Sequence, residues 1–192
     1  MRKLIYSMQV SLDGFIAGRA GDFDWAAPDE ELHRFYNEQT TELGGHLLGR
    51  RLYEVMVYWE TADRDPSIAD FARDFALLWQ RLPKVVFSTT LTEVEGNWRL
   101  ATGGIAEEVA RLKQETGGDI GVGGAGLAAT LVELDLIDEY EPFVNPVILG
   151  GGTPFLPPAQ RRIELELLET RTFGSRVVHS RYRRLTGKSR PE

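Results

Sequence analysis

The chain has 192 residues, a length that favours one large domain with a substantial core over two very small ones. It contains no cysteine, which excludes disulfides and thiolate metal sites, and its net charge of −7 argues against a general nucleic-acid or anionic-membrane binder. The polar start and the lack of a long apolar run predict neither a secretion signal nor a membrane span, which fits a cytoplasmic protein.

Segments with strand and helix character alternate along most of the chain. Strands are predicted at residues 3–10, 46–49, 84–87, 97–100, 119–122, 137–144, 161–170 and 175–184. Helices are predicted at residues 28–43, 50–57, 67–80, 105–115 and 127–134. This alternation predicts an α/β sandwich whose mostly parallel sheet ends in an antiparallel C-terminal hairpin. We expect residues 1–185 to form a single domain and 186–192 a polar tail.

A glycine-rich segment, Gly-Val-Gly-Gly-Ala-Gly at residues 121–126, links a predicted strand to a predicted helix. Glycines allow a ligand to approach the backbone closely, and a helix start offers free N–H groups to a phosphate. The alternative is a plain tight turn between a packed strand and helix. The segment lacks the Lys-Ser/Thr of a P-loop, and a Rossmann acid about 20 residues on is not evident.

Two further segments follow predicted strands. Gly49, Arg50 and Arg51 stand at a strand-to-helix junction, where arginine is a fork-shaped partner for phosphate. Ser88 and Thr89 follow the strand at 84–87, and their hydroxyls could bind a phosphate or a ribose. The alternatives are solvated surface arginines and simple turn caps. Since all three segments follow strands, they could line one edge of the sheet and bind a long dinucleotide.

Five short motifs follow one another along the chain. They are Ser-Leu-Asp-Gly-Phe-Ile-Ala at 11–17, Gly-Arg-Arg-Leu-Tyr at 49–53, Val-Val-Phe-Ser-Thr at 85–89, Asp-Ile-Gly-Val-Gly-Gly-Ala-Gly-Leu at 119–127, and Asn-Pro-Val-Ile-Leu-Gly-Gly-Gly-Thr-Pro-Phe at 145–155. This ordered set resembles the dihydrofolate reductase superfamily, and more closely the branch that includes the reductase domain of riboflavin biosynthesis. The resemblance implies a three-layer sandwich of the dihydrofolate reductase type.

The same resemblance implies an NADPH site. Its pyrophosphate would lie on Gly123, Gly124, Ala125 and Gly126. Arg50, with Ser88 and Thr89, would hold the adenosine 2′-phosphate, within a motif that also includes Gly49 and Arg51. Ala17 and the 15–25 loop would cover the nicotinamide. Relatives of this kind commonly form homodimers, which we expect here too.

Two acids are candidates for a role in substrate protonation. Glu30 follows a Trp-x-x-Pro sequence at 25–28, where classical dihydrofolate reductases have the acid that supports substrate protonation. Asp13, near the expected nicotinamide, is the second candidate. The alternatives are an exposed helix-start glutamate and a simple Asp-Gly turn.

The function predicted from these features is NADPH-dependent hydride transfer to a C=N or C=O group of a pterin- or pyrimidine-like heterocycle. A non-catalytic NADP- or nucleotide-binding module is the alternative, and flavin binding is a third possibility. The three histidines lack ligand spacing, so we predict no metal site.

Overall fold

Short apolar strands assemble into a sheet in the computed structural model, which describes residues 1–158 and 162–185. The strands are β1 (Leu4–Ser11), β2 (Phe15–Ala17), β3 (Leu43–Gly49), β4 (Lys84–Phe87), β5 (Trp98–Leu100), β6 (Asp119–Gly123), β7 (Glu139–Asn145), β8 (Thr153–Pro154), β9 (Leu165–Thr172) and β10 (Val178–Arg184). The helices are α1 (Glu30–Glu42), α2 (Arg50–Met56), α3 (Asp70–Arg81), α4 (Ile105–Gln114) and α5 (Ala125–Glu133).

The main sheet has eight strands in the order β5-β4-β3-β6-β1-β7-β10-β9. The six from β5 to β7 pair in parallel, whereas β10 runs antiparallel to both β7 and β9. β2 and β8 form a separate antiparallel pair that the sequence did not predict. The predicted α/β class, with its mostly parallel sheet and antiparallel C-terminal hairpin, is therefore confirmed.

Alternating side chains give the sheet two buried faces. On one face, Leu47 and Val122 pack in a core with Leu127 and Leu131 of α5. On the other face, strand residues pack against α3, while Leu32 of α1 packs with Phe143 of β7. Successive side chains of a strand point to opposite sides, so a central strand of this kind must be apolar on both. The result is the three-layer arrangement expected from the resemblance.

Several boundaries differ from the predicted ones. Helix α1 begins at Glu30 because the Asp29 side chain accepts the Leu32 N–H at 2.9 Å and acts as its N-cap. Helix α5 begins at Ala125, two residues before the predicted start, and α3 begins at Asp70. Strand β9 begins at Leu165, and part of the predicted 161–170 strand, like the predicted tail at 186–192, lies outside the described residues.

The parallel strands bring their carboxyl ends to one edge of the sheet, where open α/β sheets bind ligands. Helix starts α2 and α5 follow two of these strand ends directly. In the described part of the chain, no helix is both long and apolar enough to cross a membrane.

Candidate functional site

The turn between β6 and α5 has the geometry of an anion site. Gly124 has φ of +95°, in the left-handed region that favours glycine, and α5 begins at the next residue. Ala125 and Gly126 thus belong to the first helical turn, whose N–H groups have no partner within the helix. A Cβ atom on Gly126 would meet nothing within 4 Å, so this turn is open to a ligand.

The start of α2 lies against this turn. The backbone nitrogen of Gly49 would be 3.9 Å from a Cβ atom on Gly124. Gly49 ends β3 and is the N-cap of α2, which begins at Arg50. Two strand-to-helix junctions are therefore neighbours at one edge of the sheet, with their helix starts side by side.

Arg50 extends from α2 to the loop after β4. Its guanidinium donates to Thr90 Oγ1 at 2.7 Å and to Glu54 Oε1 at 2.7 Å. Ser88 Oγ accepts the backbone N–H groups of Thr90 and Leu91, at 3.2 and 3.0 Å. The structure thus brings Arg50 and the Ser88 loop together at this edge.

The neighbouring candidates, Thr89 and Arg51, make fewer contacts than Arg50 and Ser88. Thr89 is exposed, and it is Thr90, not singled out from the sequence, that contacts Arg50. Arg51 is exposed and makes no ion pair with any residue that the structure describes. The Arg51 side chain is therefore available to a ligand, and no residue in 1–158 or 162–185 pairs with its charge.

Asp13 and Ala17 belong to the 11–17 segment, which contacts the 147–155 segment at the same end of the molecule. Asp13 accepts the Ser11 hydroxyl at 2.7 Å and the backbone N–H groups of Leu149 and Gly150, at 3.1 and 2.7 Å. These hydrogen bonds, the Ser11 bond foremost, hold the pKa of Asp13 below its usual range. Asp13 is thus an ionised acceptor that ties the glycine-rich 150–152 loop to the 11–17 segment, a geometry that favours a structural role over proton donation.

Ala17 lies in β2, which pairs with β8 at Thr153. A Cβ atom on Gly152 would clash with the Ala17 carbonyl oxygen, so only glycine permits this close approach. The Tyr6 ring stacks on Phe155 with centroids 4.5 Å apart, and its hydroxyl donates to the Phe155 carbonyl at 2.9 Å. The segment proposed to cover a nicotinamide is therefore anchored to the sheet core.

A cavity of about 280 Å³ lies between the sheet and the helices α1, α2 and α3. Gly121 and Gly123 of β6 face this cavity, and their missing side chains allow His46 and Leu52, which also line it, to pack closely against the strand. Gly123 also lines the cavity and directly precedes the Gly124 turn, so the cavity reaches the residue next to the candidate phosphate site. Its lining residues from β1 and α2 are Ile5, Ser7, Met8, Gln9, Leu52 and Met56.

His46 of β3 lines the same cavity and stays neutral at physiological pH. Burial, aided by the positive charge of Lys84, lowers the pKa of His46 to about 4. Its ring packs against Trp79 at a centroid distance of 5.2 Å, and its Nδ1 has no partner among the described residues.

Glu30 stands apart from this cavity. Its side chain is 60% exposed and forms an i,i+4 ion pair with Arg34 at 2.8 Å. These surroundings fit the alternative of an exposed helix-start glutamate better than they fit an acid in a substrate site.

The carboxylate that does line the cavity is Glu141 of β7, which sequence reasoning did not select. It is 4% exposed, and its neighbours include Gln39 and Tyr36 of α1 and the buried His179 of β10. One signal could have revealed it, because an acid inside a predicted buried strand requires a partner or a ligand. The described residues contain no cluster of three or more His, Asp or Glu side chains fit to hold a metal ion.

The fold and site define an α/β protein of the dihydrofolate-reductase-like kind. The family model named RibD C-terminal domain matches residues 2–179. The chain therefore belongs to the RibD C-terminal domain family.

Known proteins agree with this assignment. The "Uncharacterized protein YyaP" of Bacillus subtilis (strain 168) is 34% identical over 182 residues, covering 94% of each chain. A putative riboflavin biosynthesis protein from Shewanella sp. PV-4 has a similar structure, with a TM-score of 0.76, 21% identity, and coverage of 96% of this chain and 99% of that one. Dihydrofolate reductase from Enterococcus faecalis, solved with NADP(H) and RAB-propyl, has a TM-score of 0.62 and 17% identity, with coverage of 95% of this chain and 96% of that one. At these identities the two structures establish the fold, which is of the reductase type.

Proposed function

We propose that this protein is an NADPH-dependent reductase that delivers hydride to a C=N or C=O group of a small pterin- or pyrimidine-like heterocycle. The observation that carries the proposal is the adjacency of two features. A phosphate-compatible edge, built from the α5 start and Arg50, borders a cavity large enough for a heterocycle. The E. faecalis enzyme of similar fold was solved with NADP(H), which adds support.

The residues present fit the cofactor. Gly124 and Gly126 leave the first turn of α5 open for a pyrophosphate, and Arg50 with Ser88 offers a cation and a hydroxyl for a 2′-phosphate. When bound, NADPH supplies the hydride, whereas the protein supplies position and electrostatics. The cavity side chains hold the substrate, and the 11–17 and 147–155 segments exclude water from the site.

The role of Arg50 gives the experiment that tests the cofactor assignment. Arg50→Ala should weaken NADPH binding by about 10-fold or more, because a charge-assisted hydrogen bond to the 2′-phosphate is lost. NADH binding should change little, because NADH has no 2′-phosphate. Fluorescence titrations of both nucleotides measure the two affinities.

Arg51→Ala is the matched comparison, since Arg51 is the adjacent arginine on the same helix. A selective loss of NADPH affinity in Arg51→Ala would assign the 2′-phosphate to Arg51 instead. An equal loss of NADPH and NADH affinity in Arg50→Ala would contradict the role of Arg50.

Turnover separates the reductase from the non-catalytic alternative. NADPH oxidation with a member of a panel of dihydropterins, folates and pyrimidinones supports the reductase. NADPH binding without oxidation by any of them would favour a binding module. The homodimer stays a prediction, and the exposed leucines of edge strand β9, Leu165, Leu167 and Leu168, are compatible with it.

A further inference from the structure

One oxygen of the Glu141 carboxylate is fully engaged within the protein. Oε1 accepts the Gln39 side-chain amide at 2.6 Å and lies 2.8 Å from His179 Nε2. Both contacts use the same oxygen, and Oε2 has no partner among the residues that the structure describes. Because Glu141 lines the cavity and a carboxylate oxygen can only accept, Oε2 is suited to accept a hydrogen bond from a ligand there.

A second unpaired polar atom lies on the helix that faces Glu141. The Tyr36 side chain lines the cavity, and its hydroxyl is buried with no partner in the described part of the chain. Burial, followed by the charge of Glu141, raises the pKa of Tyr36 far above its ordinary value. The phenol therefore keeps its proton at physiological pH and can donate it to a carbonyl oxygen.

The strand register places these groups beside the cofactor edge. Ser7 of β1 is opposite Glu141 of β7. On the other side of β1, Tyr6 pairs with Val122 of β6, so the next residues, Ser7 and Gly123, are also neighbours. Gly123, Ser7 and Glu141 thus lie in a row across three adjacent strands, over about 10 Å. The Leu52 side chain fills the space over Gly123, whereas Ser7 is small, so a flat ring can rest on Ser7 with Leu52 at one end and Glu141 at the other.

Building on the proposed function, we propose that Glu141 and Tyr36 recognise a cyclic amide edge of the substrate. Glu141 Oε2 accepts the ring N–H, and the Tyr36 hydroxyl donates to the adjacent ring carbonyl. Gln39 and His179 hold the carboxylate through its other oxygen, so that Oε2 is left for the ligand. The specificity carboxylate therefore comes from strand β7, and not from the start of α1 where Glu30 stands.

The chemistry predicts a preference for heterocycles with a free N–H next to a C=O group. The probes are 6-aminouracil, which has this edge, and 6-amino-1,3-dimethyluracil, whose ring nitrogens carry no hydrogen. Ligand-observed NMR titrations with NADPH present give the two dissociation constants. Wild-type protein should bind 6-aminouracil at least about 10-fold more tightly than the dimethyl compound, because the amino group is common to both and only the former has a ring N–H beside a carbonyl to pair with Glu141 and Tyr36 together.

Glu141→Gln should remove this preference. Gln39 and His179 both act as donors toward position 141, so the new amide directs its oxygen to them and its NH2 group takes the place of Oε2. A donor then faces the ring N–H, and the affinities for the two probes should become equal within about twofold. Tyr36→Phe tests the other half of the edge, and should weaken 6-aminouracil about 5-fold or more while a preference for the free N–H persists.

Glu139→Gln is the matched control. Glu139 is a buried carboxylate on the same face of β7, but it is paired with Lys3 and Arg181, at 2.7 and 2.6 Å. This variant should keep the preference for 6-aminouracil, and thermal melting of each variant verifies that it folds. If Glu141→Gln does not fold, Tyr36→Phe still tests the proposal.

Retention of the wild-type preference by Glu141→Gln would overturn the inference, as would wild-type protein that binds NADPH but neither probe. In both cases the proposed cofactor site would stand. Failure of the wild-type protein to bind NADPH at all would instead refute the proposed function, and the inference with it.

Discussion

The sheet edge and the cavity beside it are built by different means. At the edge, the groups proposed to meet a ligand are backbone N–H groups and one arginine, each placed by a strand that ends where a helix begins. In the cavity, the facing groups are side chains from α1, β1, β6 and β7, brought together only by sheet register. A site made of local backbone geometry leaves a short motif in the sequence, whereas a site made of distant side chains does not.

The two regions also differ in how they would respond to substitution. The edge depends on conformations open to glycine, so an added side chain there should affect the ligand more than the fold. The cavity is lined by buried groups, so changes there should alter stability as well as specificity. The predictions that follow test this difference, beginning with the largest effect.

Gly124→Val should have the largest effect and should act on the edge alone. A β-branched residue at φ of +95° costs about 1–3 kcal/mol, and its side chain would enter the space shared with Gly49 and Leu52. We expect NADPH affinity to fall about 100-fold or more while the protein remains folded. Fluorescence titration with circular dichroism measures both, and retained affinity would mean that the turn is purely structural.

Gly126→Ala is the matched variant two residues later. Gly126 is helical and exposed, with open space where the Cβ would lie, so alanine should stabilise the protein by up to about 1 kcal/mol. Its NADPH affinity then reports how closely the nucleotide approaches this Cα atom.

Because His46 lines the cavity and stays neutral in the folded protein, the stability of the protein should depend on pH. The unfolded chain protonates His46 near pH 6.5, whereas the folded protein resists protonation to a pKa of about 4. The unfolded state thus binds more protons in this window. The contribution of His46 to the free energy of unfolding should be fully present above pH 6.5. It should be lost as the pH drops toward 4, by up to about 3 kcal/mol.

Urea unfolding of the wild type and of His46→Gln at pH 7, 6 and 5 isolates this contribution. The difference between the two unfolding free energies should shrink steadily as the pH falls. A difference that is independent of pH would show that His46 is not kept neutral by the fold.

Glu30→Gln should have the smallest effect. It removes an exposed i,i+4 ion pair with Arg34, which is worth about 0.3–0.5 kcal/mol. Thermal unfolding at low and high salt measures this loss, which should vanish as salt screens the pair. A larger or salt-independent loss would indicate a role for Glu30 that its exposed position does not predict.

The strand-to-helix junctions of the proposed cofactor edge could be predicted from the sequence because each part is local. Glycine tolerates the positive φ that Gly124 adopts, and a strand followed at once by a helix identifies the junction at Arg50. The helix start at Ala125 was placed two residues too late, because glycine and alanine in a first turn resemble a loop. The pairing of Arg50 with Thr90 needed the neighbouring strands β3 and β4 to be known.

The sequence by itself determined the α/β class, the antiparallel C-terminal hairpin and the glycine-rich junctions, because these follow from periodicity and turn chemistry within a few residues. Only the tertiary structure decided which carboxylate meets the cavity. Glu30 and Glu141 are 111 residues apart, and their exposure depends on how α1 lies on the sheet and on the register of β1 with β7. An acid inside a predicted buried strand signals only that it needs a partner or a ligand, so which of the two acids meets the cavity could be decided only in three dimensions.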